Sequence, residues 1–224
     1  MQLVMPFAQR RASYAPEDFI RGAANETALD LINRWPDWPY SMVLLSGERG
    51  CGKTHLAHVF AARSKATLID PERIGTSPAD QLLVGNHCWV LDGVEAVHHE
   101  AALAQLMNHV RARGDYLLLT ARQAARDLPF TLPDLRSRLN ALPNVTLGAP
   151  DDALLMGVLA KQFADRQLRI SPEVLTFAAQ QLERNYESIQ QFAVSMDGLS
   201  LARGRAITVA LVREALKNPG WQSS

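Results

Sequence analysis

"GERGCGKT", residues 47–54, is the stretch from which the fold is read. It fits the pattern G-x-x-x-x-G-K-[ST], in which glycines let a loop curl close to phosphate oxygens. Its flanks fit as well. "SMVLLSG" (residues 41–47) is a short apolar run ending in glycine, the mark of a buried strand. "THLAHVFAAR" after it has helical spacing. A strand, this loop and a helix together make a nucleotide site from Gly47, Gly50, Cys51, Gly52, Lys53, Thr54 and His55. Backbone N–H groups from residue 50 to residue 54 face the phosphates, and the helix aims its N-terminus at them. Lys53 reaches the outer phosphates, and the Thr54 hydroxyl goes to Mg²⁺. Cys51 takes a variable position of the loop and is expected to be inert.

Outward from the loop, four more short apolar runs read as strands: "TLID" (67–70), "HCWVLD" (87–92), "YLLLT" (116–120) and "NVTL" (144–147). Helix-like stretches lie between most of them, which predicts a parallel sheet covered on both faces. After Pro150 the strands stop. "DDALLMGVLAKQFADR" opens on an aspartate suited to capping a helix. Ser171 and Pro172 read as N-cap and first helical residue of the next, and Thr208 caps the last. Gly204 is placed just past the end of the helix between them. The division expected is a peptide and linker over residues 1–11, an α/β nucleotide-binding domain over 12–149, and an all-α lid over 150–224.

The 224 residues are 47% apolar, enough for a sizeable core. Lys plus Arg and Asp plus Glu are both 23, so no global charge draws the chain to nucleic acid or acidic lipid. Two cysteines, Cys51 and Cys88, make no disulfide framework and point to a reducing compartment. The apolar start is too short for a signal peptide, and no run of 18 apolar residues crosses a bilayer. The expectation is a cytoplasmic protein without a membrane partner.

Asp92 ends the run "CWVLD" at a strand tip, where a carboxylate holds Mg²⁺ through a water. The next residue is Gly93, where many such ATPases carry a second acid that orients the attacking water. Glu95 is the nearest acid, three residues on from Asp92. Hydrolysis by this chain alone is therefore expected to be weak or absent.

At these residues the chain resembles the DnaA-related AAA+ proteins. "GERGCGKTHLAHVF" is similar to their P-loop, including His55 and Leu56 after the threonine. "SYAPEDFIRGAANETAL" resembles their N-linker, "LPDLRSRL" (132–139) their box VII, and "AITVALVREAL" their last lid helix. The resemblance spans roughly residues 12–217. It implies an AAA+ P-loop NTPase, α/β with a parallel five-stranded sheet and a C-terminal all-α lid domain, holding ADP or ATP with Mg. No helix-turn-helix is read after the lid, and only about 11 residues precede the linker. That pattern resembles the DnaA-related regulators that work with the β sliding clamp of DNA polymerase III. Such regulators begin with a peptide that Gln2-Leu3-Val4-Met5-Pro6-Phe7 matches, Met5 standing in a leucine place. Gln2 can donate and accept hydrogen bonds. Leu3, Met5 and Phe7 supply apolar contact, and Pro6 limits the entropy lost on binding. The alternative is an apolar chain start or a first edge strand.

The resemblance places an arginine finger at Arg138, presented to ATP on DnaA; an arginine paired with Asp134 on the surface is the other reading. It implies DnaA and the clamp as partners, DNA reached indirectly through the clamp, and leaves a homo-oligomer open. Two positions depart from the pattern. Thr120 is the remaining polar residue at the sensor I strand tip, followed by Ala121-Arg122-Gln123. Glu187 stands where the lid arginine is expected, with Arg184 one turn earlier. A carboxylate there repels a γ-phosphate, so ADP is favoured over ATP. The competing class is an autonomous AAA+ ATPase or a helicase-loader-like replication factor. His98-His99-Glu100 is read as a solvated helix start, Trp35 and Trp38 as packing, and Arg10-Arg11 as a linker.

Overall fold

The computed structural model describes residues 14–203 and 206–217. Five strands, β1 (Met42–Gly47), β2 (Thr67–Ile69), β3 (Cys88–Leu91), β4 (Tyr116–Ala121) and β5 (Asn144–Leu147), form one parallel sheet in the order β2-β3-β4-β1-β5. Helices α1 (Glu26–Asn33), α2 (Lys53–Ser64), α3 (Ala79–Leu82), α4 (Glu100–Arg113) and α5 (Pro133–Asn140) surround it. The continuous apolar runs are explained by alternation between two cores. Met42 and Leu44 of β1 face the core built with α4 and α5, through Leu103, Leu106, Leu135 and Leu139. Val43 and Leu45 face the core built with α1 and α2, through Ile32, Leu56 and Phe60. A strand covered on both sides reads as a near-continuous apolar run, and the buried polar side chain of β1, Ser46, is satisfied by Asn144 and Thr146 of β5.

The α/β fold with five parallel strands is the one the sequence predicts. Strand ends differ by a residue where a side chain has other work. Asp70 leaves β2, because its carboxylate accepts the N–H of Glu72 at 3.0 Å and starts the next turn. Asp92 leaves β3 and turns to the functional site. Trp35 and Trp38 pack, as expected: Trp38 is buried, its indole N–H donates to Leu31 O at 2.7 Å, and Trp35 meets Trp38, Phe60 and Tyr116 edge-on.

The chain continues through α6 (Asp152–Asp165), α7 (Pro172–Gln181), α8 (Tyr186–Arg203) and α9 (Val209–Lys217). Three of these start on the caps read from the sequence. Asp151 accepts from Leu154 N at 2.7 Å, Ser171 from Val174 N at 3.4 Å, and Thr208 from Leu211 N at 3.3 Å. A third core holds them together, with Leu155, Leu159, Phe163, Ile189, Phe192 and Val212 fully or almost fully buried. Gly204, the expected helix end, lies outside the described residues. The segment from Tyr14 to Asn25 runs between α2 and α6. Lys161 pairs with Asp18 at 3.2 Å, and Gly22 and Gly157 admit the close approach of Leu154 and Ile20. Among the described residues no helix is long and apolar enough to cross a membrane.

At the sheet edge opposite the P-loop, Asp115 is fully buried. It accepts from Trp89 Nε1 at 3.1 Å, lies 2.8 Å from His87 Nδ1, and pairs with Arg113 Nε at 2.8 Å. Arg113 also donates to the carbonyls of Leu83 and Asn86. Asp115→Ala removes the common acceptor and leaves the Trp89 indole unpaired. It is expected to cost about 3 kcal/mol in urea unfolding, because breaking a buried pair from one side costs more than the pair contributes.

Candidate functional site

β1 ends at Gly47 and α2 begins at Lys53, so residues 48–52 turn from the middle of the sheet onto a helix N-terminus. That end leaves its first N–H groups without helical partners. Gly52, the cap of α2, has φ 101°, and a Cβ on it would lie 2.9 Å from the Phe19 ring. The position therefore admits only glycine, on both conformational and steric grounds. Lys53 is 9% exposed. Its ammonium donates to Gly47 O at 2.7 Å and Glu48 O at 2.8 Å, and stands 3.5 Å from Cys51 Sγ. Burial pushes the Cys51 thiol up, against the pull of Lys53, so the thiol stays protonated near neutral pH.

Three residues meet beside this loop, Thr54 from the first turn of α2, Asp92 just past β3 and Thr120 next to the end of β4. Thr54 Oγ1 donates to Asp92 Oδ2 at 2.8 Å. Thr120 Oγ1 donates to the other oxygen of Asp92 and accepts the N–H of Gly93 at 2.8 Å. Thr54, Asp92 and Thr120 are thus one network, although they stand far apart in sequence. Gly93 has φ 79°, a region that L side chains rarely adopt. A carboxylate at position 93 would be strained as well as absent. Glu95 turns away: it pairs with Arg122 at 3.3 Å, and its other oxygen is buried without a partner among the described residues.

Arg138 lies on α5 and is not in the Thr54–Asp92–Thr120 network. Its Nε pairs with Asp134 at 2.9 Å, and its guanidinium donates to Asn108 Oδ1 on α4 at 2.6 Å. The surface pairing weighed for this residue is present, with Asn108 as a second holder that sequence spacing did not reveal. On the lid side, Glu187 is exposed in the first turn of α8, and Arg184 pairs with Asp152 at 2.9 Å. Arg184 is thereby committed to the start of α6. His55 Nε2 lies 2.8 Å from Ala15 O, and burial lowers its pKa. Tyr14 stacks on His58 with ring centroids 4.1 Å apart. The peptide of Gln2, Leu3, Met5, Pro6 and Phe7 lies outside the described residues.

His98-His99-Glu100 is no metal cluster. The His99 ring lies against Gly75, and no group of three or more His, Cys, Asp or Glu among the described residues is arranged to hold a metal. Glu100 instead accepts the N–H groups of Thr131 and Leu132 and the Thr131 hydroxyl. It so fixes the start of α5. The signal for it was an acid in the first turn of a helix, where carboxylates are favoured. The backbone N–H groups first, at Leu132 and Thr131, hold the Glu100 carboxyl below its ordinary 4.5. A depressed folded pKa contributes stability above 4.5 that is lost as pH falls through the depressed value. Glu100→Gln is expected to lower the melting temperature at pH 6, with the gap to wild type closing toward pH 3. A gap that stays constant with pH would remove the carboxylate's role.

No protein-family model matches the sequence. An uncharacterized protein of Haemophilus influenzae is 27% identical over 192 residues, which span 76% of this chain and 79% of that one. Among solved structures, domain III of the Thermotoga maritima replication initiation protein DnaA superposes with a TM-score of 0.73 at 18% identity, over 91% of this chain and 95% of its own. AMPPCP-bound DnaA from Aquifex aeolicus gives 0.66 at 16% identity, over 84% and 66%. The RuvB Holliday junction branch migration motor of T. maritima gives 0.62 at 16%, over 85% and 66%. At such identities the likeness is one of fold. A five-stranded parallel sheet with helices and a helical C-terminal part is the fold that the AAA+ domains of DnaA and RuvB show.

Proposed function

We propose that this chain is a replication-related nucleotide-binding adaptor of the Hda type. It binds ADP or ATP at the P-loop, binds the sliding clamp, and stimulates hydrolysis of ATP bound to DnaA. The observation that carries the reading is the incomplete site. Asp92 is held by Thr54 and Thr120, a set suited to Mg²⁺ and phosphate, while Gly93 supplies no base and Glu95 is tied to Arg122. Lys53, already drawn to two carbonyl oxygens, has the charge and place to take phosphate oxygens instead. Such a site retains a nucleotide better than it consumes one. The solved DnaA structure with AMPPCP supports the ligand class by likeness of fold.

Arg138 is the residue assigned to act on the partner. An i,i+4 pair such as Asp134–Arg138 contributes only about 0.3–0.5 kcal/mol. Releasing the guanidinium from it costs little against the rate factor of about 10³–10⁵ that an arginine finger supplies. The clamp is assigned to residues 2–7, DNA is reached through the clamp, and the place of work is the cytoplasm. Self-association through the same AAA+ face is compatible with this scheme.

The test is turnover of DnaA-bound ATP on clamp-loaded DNA. This chain with ADP is expected to accelerate it, and Arg138→Ala to lose the acceleration by about 10³-fold while keeping nucleotide and clamp. Full acceleration by that variant would sink the finger assignment. Removing residues 1–7 is expected to abolish retention on immobilised clamp. A second reading is an autonomous ATPase or helicase-loader-like factor, favoured by the intact Thr54–Asp92–Thr120 network. It expects DNA-stimulated turnover by this chain alone, lost in Lys53→Ala. Calorimetry with tighter ATP than ADP binding would also favour it.

A further inference from the structure

The lid face of the P-loop carries a polar group that the reading above does not use. Tyr186 is the first residue of α8 and is 5% exposed. It packs into the core shared by β1 and α2, away from the core of its own helix bundle. Its backbone and Cβ lie over Gly50: a Cβ on that glycine would stand 3.1 Å from Tyr186 Cβ and 3.7 Å from its carbonyl carbon. Lid and loop therefore touch at this tyrosine.

The Tyr186 hydroxyl is buried and has no hydrogen-bond partner among the described residues. Buried hydroxyls are almost always satisfied, so an orphan at a functional loop asks for an explanation. Burial first, then the nearby acids Cys51, Asp151 and Glu48, push the phenol up to about 12. The group is thus a neutral O–H at any ordinary pH, a donor without an acceptor. The same loop holds the opposite imbalance in reserve. Two of its carbonyls, on Gly47 and Glu48, are occupied by the Lys53 ammonium. A phosphate that draws Lys53 away takes the ammonium from both; Glu48 O keeps the N–H of Cys51 at 3.4 Å, while Gly47 O loses its Lys53 donor.

We propose that Tyr186 is a lid-borne sensor of the P-loop's load: its hydroxyl donates to the Gly47 carbonyl once a nucleotide polyphosphate has taken Lys53. The orphan hydroxyl penalises the empty state, and the new bond favours the loaded one. Loading is in this way coupled to the seating of α8. The inference rests on the nucleotide-binding reading and adds to it a lid residue and a direction of coupling.

Tyr186→Phe separates the two contributions because they have opposite signs. Without nucleotide, the variant loses an unsatisfied polar group and is expected to melt about 2–4 °C above wild type. With Mg and ADP, it lacks the donor, and calorimetry is expected to show binding about tenfold weaker than wild type. A nucleotide-free variant that melts below wild type would overturn the proposal, since the hydroxyl would already be satisfied. Equal ADP affinity in the two proteins would overturn it as well. If wild type itself binds no ADP, the nucleotide reading fails and carries this inference with it. Wild-type binding with an unaffected variant removes the sensor alone.

Discussion

A parallel sheet delivers every strand's carboxyl end to one edge, and the rest of this structure depends on that constraint. β1 sits between β4 and β5, covered on both faces. The polar demand of its buried Ser46 is met by Asn144 and Thr146 of β5. Chemistry is confined to the point where it stops, at Gly47. β4 beside it and β3 beyond stop on the same side, with Asp92 just past the end of β3 and Thr120 next to the end of β4. The meeting of Thr54, Asp92 and Thr120 is therefore a product of topology before it is a product of local sequence. It needs no contact between neighbours in the chain.

What surrounds that meeting point is a set of diversions. Glu95 is spent on Arg122, Arg184 on Asp152, and Arg138 on Asp134 and Asn108. Each group that could act on a γ-phosphate has another ionic or amide partner. Gly93 adds a backbone conformation that does not welcome a side chain. The buried cation of the loop, Lys53, has its charge met by peptide carbonyls. A site of this composition favours holding an anion over activating a water molecule.

The parts legible in the sequence were those written locally. The glycine spacing of the P-loop, the apolar strand before it, and the caps at Asp151, Ser171 and Thr208 each occupy a few consecutive residues. Their physics is short-ranged, so the spelling suffices. Strand order was not spelled out, because five similar apolar runs pair by packing. Nor were the partners of Arg138 and Glu100: Asn108 lies 30 residues before the arginine, and Thr131 lies 31 after the glutamate. Glu100 was absorbed into a histidine pair that has no shared role. Tyr186, beside Glu187, reads as core because an aromatic ring at a helix start usually packs, which in part it does. Its burial against Gly50 is a contact between the helical part and the loop that no periodicity reports.

The segment from Tyr14 to Asn25 has a mechanical meaning. It touches α2 through Tyr14 on His58 and Ala15 at His55, and α6 through Asp18 at Lys161 and Ile20 at Gly157. Asn25 then ties its end down, accepting from Gly22 N and donating to Ile20 O. Such a segment is a strap stitched to the helix that follows the loop and to the first helix of the C-terminal part. Each stitch is weak, and together they set how far α2 and α6 stand apart. Tension applied to the chain ahead of Tyr14 is shared between the two helices. By reciprocity, any change in their separation alters the slack of the strap.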